Sequence, residues 1–141
     1  MKRKIFITVL LIFVGISLSA CSSNKDSDYF ELTSTTRYEL LIGLNDSTSG
    51  QQIIETDDAV ERVKKMILDH TDGLTMTISN GSYYVGALLV DETTINCVIY
   101  NSDDAAIRAI VDEINQELNL SVLAGKSNSD YQLLSPDNTI Q

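Results

Sequence analysis

The chain has 141 residues, 10 basic against 20 acidic, and a formal net charge of −10. That length suits one ordinary domain and excludes a chain of several. The acidity repels phosphate backbones and anionic headgroups, so no nucleic acid is expected as a partner.

The chain opens with Lys2, Arg3 and Lys4, followed by an apolar run from Ile5 to Leu18. A spanning helix needs roughly 20 apolar residues, and this run is shorter. A basic start, a short apolar core and a small-residue end predict a secretory signal peptide over residues 1–20. Its end is more specific: Leu18-Ser19-Ala20-Cys21 resembles the bacterial lipobox. That resemblance implies cleavage before Cys21 and diacylglycerol on its sulfur. One acyl chain binds a membrane only marginally, and two or more hold it stably. The expected location is therefore the outer, extracytoplasmic face of a bacterial cell membrane, with the membrane as partner through lipidated Cys21. Ser22 follows the cysteine, so no aspartate marks retention at an inner membrane. Losing the three N-terminal cations would take the net charge from −10 to about −13.

Residues 21–35 are mostly Ser, Asn, Asp and Thr and read as a flexible tether. Such a coil of about 15 residues spans on the order of 20 Å. The folded domain is expected over 36–134. Tyr38, Leu40, Ile42 and Leu44 alternate and predict a first strand, with Arg37, Glu39, Leu41 and Gly43 on its other side. A helix is predicted from Asp57 to His70, capped by Thr56 or Asp57, with Val60, Val63 and Ile67 at helical spacing. Gly73 is placed at its left-handed C-terminal position.

Leu74 to Ser79 predicts a second strand, and Asn80-Gly81 a turn or bulge. The apolar "SYYVGALLV" either continues that strand or bends at Gly86. A third strand follows in "TTINCVIY", where Ile95, Cys97 and Ile99 share a face. Cys97 is expected as a buried small hydrophobe, and with Cys21 lipidated no intramolecular disulfide is available. A second helix has Ser102 as its cap and Ile107, Ile110, Val111, Ile114 and Leu118 as its apolar stripe. Residues 121–125 form a fourth strand, "DYQLL" a short edge piece, and 135–141 a disordered tail. The order β-α-β-β-α-β predicts an α+β, ferredoxin-like sandwich: a four-stranded antiparallel sheet with two helices on one face and the other face open.

Three stretches resemble a family of small exported bacterial proteins, often lipoproteins, classed as a domain of unknown function. Arg37-Tyr38-Glu39-Leu40-Leu41-Ile42-Gly43-Leu44 follows its opening strand, with Ile42 in an aromatic position. Asp72-Gly73-Leu74-Thr75 follows its second motif, and Gly81-Ser82-Tyr83 has tyrosine for tryptophan. Glu92 precedes the third strand, as in that family. The resemblance covers roughly residues 36–125, implies fold and export, and brings no activity with it.

The candidate ligand or interface residues are Arg37, Glu39, Asn80, Tyr83 and Glu92. Arg37 and Glu39 stand two apart on a strand and so share a face. Glu92 near them would make a carboxylate pair, and acid–base work would then depend on geometry. Asn80 to Tyr84 join turn residues to two aromatics and could line a pocket mouth. His70 is the sole histidine, and Asp69, His70 and Asp72 fall short of the three or four convergent ligands a zinc site needs. No Gly-x-Ser-x-Gly elbow, P-loop or dinucleotide fingerprint occurs, so no catalytic residue, metal or cofactor is assigned. The favoured function is a membrane-anchored, non-catalytic module that binds a ligand or protein, or pairs as a homodimer, through the open sheet face. The alternative is a small-molecule enzyme formed by a homodimer enclosing a cavity between open faces.

Overall fold

The computed structural model describes residues 31–134. The expected signal peptide, Cys21, most of the stretch read as a tether and the expected tail from Ser135 lie outside them. Six elements follow in chain order: β1 (Thr33–Asp46), α1 (Thr56–Leu68), β2 (Thr75–Val85), β3 (Leu88–Tyr100), α2 (Asp104–Leu118) and β4 (Leu120–Tyr131). The four strands form one sheet in the order β2-β3-β1-β4, and every neighbouring pair is antiparallel. This is the ferredoxin-like α+β architecture expected from the element order.

The core is the layer between helices and sheet. Tyr38, Leu40, Ile42 and Leu44 enter it from β1, and Ile95, Cys97 and Ile99 from β3. Each face alternates because successive strand residues point to opposite sides. Ala59, Val63, Met66 and Ile67 of α1 and Ile107, Ile110, Ile114 and Leu118 of α2 close it from above. Val60 and Val111 lie at the border of this cluster, partly buried. Burying an Ile or Leu fully contributes about 1.5–3 kcal/mol, so the eleven buried Ile and Leu side chains carry the fold. All of the buried cluster lies between Tyr38 and Leu120, within the compact unit Leu32–Gln141. This unit therefore has a complete core of its own.

Several local expectations are corrected. The cap position of α1 is Glu55, which makes no side-chain cap bond, rather than Thr56 or Asp57. That helix stops at Leu68, followed by Asp69 in right-handed conformation; Gly73 does not take up positive φ. The α2 cap is Asp103, not Ser102: its carboxylate accepts from the Ala105 and Ala106 amides at 2.9 and 2.8 Å. Asn119, at φ 54°, ends α2 in the left-handed conformation. Asn80-Gly81 forms no turn, because the β2–β3 ladder runs unbroken from Thr75↔Val98 to Val85↔Leu88. The reversal is at Gly86-Ala87, with φ +62° at Gly86. A two-residue loop with positive φ only at its first position is a type II′ hairpin, whose twist suits the flanking strands. Strand β4 continues to Tyr131, so the separate edge piece merges into it. Strand β1 starts at Thr33, within the stretch read as tether, because Thr33 to Thr36 pair with Asn128 to Tyr131.

Candidate functional site

Four of the five candidate residues, Arg37, Glu39, Tyr83 and Glu92, lie on the open side of the sheet, but the fold does not bring them together. Arg37 and Glu39 do meet: Nη1 of Arg37 donates to Oε2 of Glu39 at 3.4 Å, with both side chains about a third exposed. The guanidinium is thereby held more firmly in its charged form, and Tyr100 adds to this. Glu92 lies elsewhere. Glu39 pairs across with Val98, and Glu92 is six positions earlier on β3, about 20 Å away at strand spacing. The expected Glu39–Glu92 carboxylate pair is therefore corrected: the two acids never share a site.

Glu92 instead folds over β1. Its Oε1 accepts the Asn45 amide at 2.9 Å, and its carboxylate occupies the space that a Cβ on Gly43 would need. This explains both Gly43 and Glu92 in structural terms, and Glu92 stands within β3 rather than ahead of it as expected, because the strand begins at Leu88. The glycine makes room, and the acid satisfies an amide where β1 departs from its register with β4 between Ile42 and Asp46.

Asn80 and Tyr83 separate as well. Asn80 pairs with Thr93 and points to the helix side, whereas Tyr83 pairs with Val90 on the open side. Asn80 and Tyr83 thus face opposite sides of the sheet and do not line one pocket mouth, which corrects that expectation. Both belong to an arm. Strand β1 pairs with β3 only from Thr94 to Tyr100. Beyond that row β2 and β3 continue alone to Gly86, as a two-stranded hairpin roughly 20 Å long. Tyr83, Tyr84, Val85, Leu88 and Leu89 on it are exposed by 43%, 72%, 59%, 67% and 53%.

The middle of the open face is flat. It carries Leu41, Val98 and Asn96 with the small residues Gly43, Gly81 and Gly125, and Leu123 stands 68% exposed on β4. Asn96 sits between Leu41 and Thr77, and its covered Oδ1 accepts no hydrogen bond.

A site that sequence reasoning missed lies on the other side, between α2 and β4. A groove of about 400 Å³ there is lined by Tyr38, Ile107, Arg108, Val111, Lys126 and their neighbours. The Tyr38 hydroxyl donates to Asp104 Oδ1 at 2.6 Å, and Lys126 Nζ donates to both Asp104 oxygens at 2.7 and 2.9 Å. Lys126 also stands 5.6 Å from the centre of the Tyr38 ring. Lys126 and Tyr38 together hold the Asp104 carboxyl below its usual range, and Asp104 in turn pushes the Tyr38 phenol up. The signal available beforehand was a tyrosine in a core stripe, whose hydroxyl needs a partner at the core's rim.

His70 pairs with Glu113 at 3.2 Å, tying the end of α1 to α2. Among the described residues no group of His, Cys, Asp and Glu side chains could hold a metal ion. Cys97 is buried, and burial pushes its thiol up to about 12, far from a nucleophile's range.

No protein-family model and no curated protein matches the chain. Solved structures do. A phage SAM lyase in complex with S-methyl-5′-thioadenosine is similar with a TM-score of 0.53 and 14% identity, over 72% of this chain and 90% of that one. The same enzyme in its apo state gives 0.50 and 13%, over 73% and 91%. A putative PII-like signalling protein from Thermus thermophilus gives 0.46 and 17%, over 72% and 93%. At these identities the likeness is one of fold: a ferredoxin-like sheet with two helices on one side.

Proposed function

We propose that the protein is a bacterial lipoprotein of the exported family it resembles, anchored through Cys21, whose open sheet face docks a protein partner, a second copy of the chain included. The observation that carries the binding reading is what the face does with its charges. Arg37 is paired with Glu39, and Glu92 is folded onto Gly43 and the Asn45 amide. What remains outward is small and uncharged, with Leu41, Val98 and the exposed Leu123 set among Thr75, Thr77, Ser79, Thr94 and glycines. Such a surface suits docking, whereas chemistry asks for convergent polar groups around a cavity. The unmet Asn96 acceptor points the same way, since an apolar residue at the centre of a purely structural sheet face would cost less. An enzyme formed by two enclosing copies would need Arg37, Glu39 and Glu92 to converge, and within one copy they stand apart.

Two measurements test this. Mass spectrometry of the wild type against Cys21→Ala reads the lipid: a diacylglycerol mass on the wild type alone is expected, and an unmodified Cys21 removes the anchor from the proposal. A Leu123→Cys chain treated with a membrane-impermeant maleimide reads the face. Buried Cys97 and lipidated Cys21 leave this thiol as the reporter. It is expected to label at least tenfold more slowly on intact cells than in the dilute isolated domain, while Glu117→Cys on α2 labels equally in both. Equal labelling at Leu123→Cys would mean that nothing covers the face.

A further inference from the structure

Of the two sheet edges, only one is protected. The β4 edge carries Lys126, pointing to the helix side, and Asp130; inward-pointing charges of this kind discourage strand addition. The β2 edge, Thr75 to Val85, contains no charged residue and no proline across 11 residues, and its ladder with β3 has no bulge. It also bears exposed apolar side chains: Ile78 at 48% on the helix side, as well as those of the arm. A two-stranded hairpin with apolar residues on both faces is marginal in water unless something flanks it. In a chain of net charge −10, an uncharged strand is where two copies approach at the lowest electrostatic cost.

We propose that β2 of one copy pairs antiparallel with β2 of a second, joining two sheets into one of eight strands. The occupant follows from self-complementarity. Antiparallel pairing about a twofold axis normal to the sheet keeps both pairs of helices on one side, so residues of equal parity must oppose each other. Full overlap of Thr75–Val85 with its copy centres on Asn80, which meets that condition. In this register Tyr84 lies beside Met76 of the second copy, and Ile78 beside its Ser82. Met76 is partly buried against the core and Tyr84 is 72% exposed, so each arm lies along the root of the other's β2. A flat docking partner would cover only one side of the arm; strand pairing flanks both faces along its length. This inference does not rest on the docking role of the open face, and it leaves both open faces on one side of the joined sheet.

The test uses the chain from residue 21 on, with Cys21→Ser so that no lipid mediates association; its core is complete within that length. Light scattering after size exclusion is expected to give twice the monomer mass. Ile78→Lys and Tyr84→Lys, both at exposed positions, are expected to give monomers with unchanged circular dichroism, whereas Leu123→Lys stays dimeric. Asn80→Cys is expected to form an intermolecular disulfide, since opposed strand residues stand about 4.5–5.5 Å apart at Cα, within bridging range. Asn128→Cys on β4 is expected not to cross-link. A monomeric parent chain, a dimer indifferent to both lysines, or a cross-link at Asn128→Cys in place of Asn80→Cys would each overturn the β2 pairing. If Leu123→Lys alone gave monomers, the open face would be the dimer interface and the edge proposal would fail while the docking reading stood.

Discussion

Gly43 shows how a single missing side chain fixes two others. Glu92 reaches the Asn45 amide only because nothing projects from Gly43. Gly43→Ala forces the carboxylate away from its amide and is expected to destabilise the domain by about 1–3 kcal/mol, the range for inserting a methyl into filled space. Urea denaturation measures this, and Gly43→Ala with Glu92→Ala should recover part of the loss, because the steric conflict is gone. Asp104 makes a second residue-scale prediction. Its carboxyl is held low by Lys126 first and Tyr38 second. A depressed folded value means that the ionised form contributes stability above the ordinary carboxylate range near 3.9, and that this contribution fades as pH falls through the lowered value. Asp104→Asn should therefore lower the melting temperature at pH 7, and the gap to the wild type should close as the pH falls through the lowered Asp104 value.

Among the elements, the sequence is read best where the pattern is long. Four alternating apolar residues define β1, and a stripe of isoleucines defines α2; both are where periodicity places them. Element ends are harder to read because neighbouring polar residues compete for one role. Ser102 and Asp103 are both good caps, and the structure selects Asp103. Asp103→Ala should accordingly cost about 1 kcal/mol in chemical denaturation, while Ser102→Ala stays within about half of that. Asn80-Gly81 is a strong turn signal locally, yet the turn is at Gly86-Ala87, because eleven cross-strand pairs outweigh one dipeptide preference. The candidate site is only partly legible for a related reason. Alternation tells which face Arg37 and Glu39 share, but the distance from Glu39 to Glu92 depends on the register between β1 and β3, which no local pattern encodes. The Tyr38–Asp104–Lys126 cluster joins β1, α2 and β4 and is invisible in the sequence for the same cause.

At the scale of the whole molecule, the open face and the β2 edge are two separate surfaces. The acidic character is carried by α2, β3 and the loops, for the three acids of α1 are balanced by three bases, and the 11 residues of β2 carry no charge at all. Thr33, where β1 begins, lies at the end of the sheet opposite Gly86, since β1 runs toward the arm. The sheet order has one more result, in time rather than in space. The strand made first, β1, is an inner strand, and the partner on one side of it is β4, made last; Thr33 pairs with Tyr131. The β2–β3 hairpin and both helices are local and form within microseconds. The β1–β4 ladder must instead close a loop spanning nearly the whole domain, the slow, non-local step of such a topology. A growing chain therefore keeps one side of β1 unpaired until Leu120–Tyr131 has been made, and a product that stops before β4 leaves that side of β1 open.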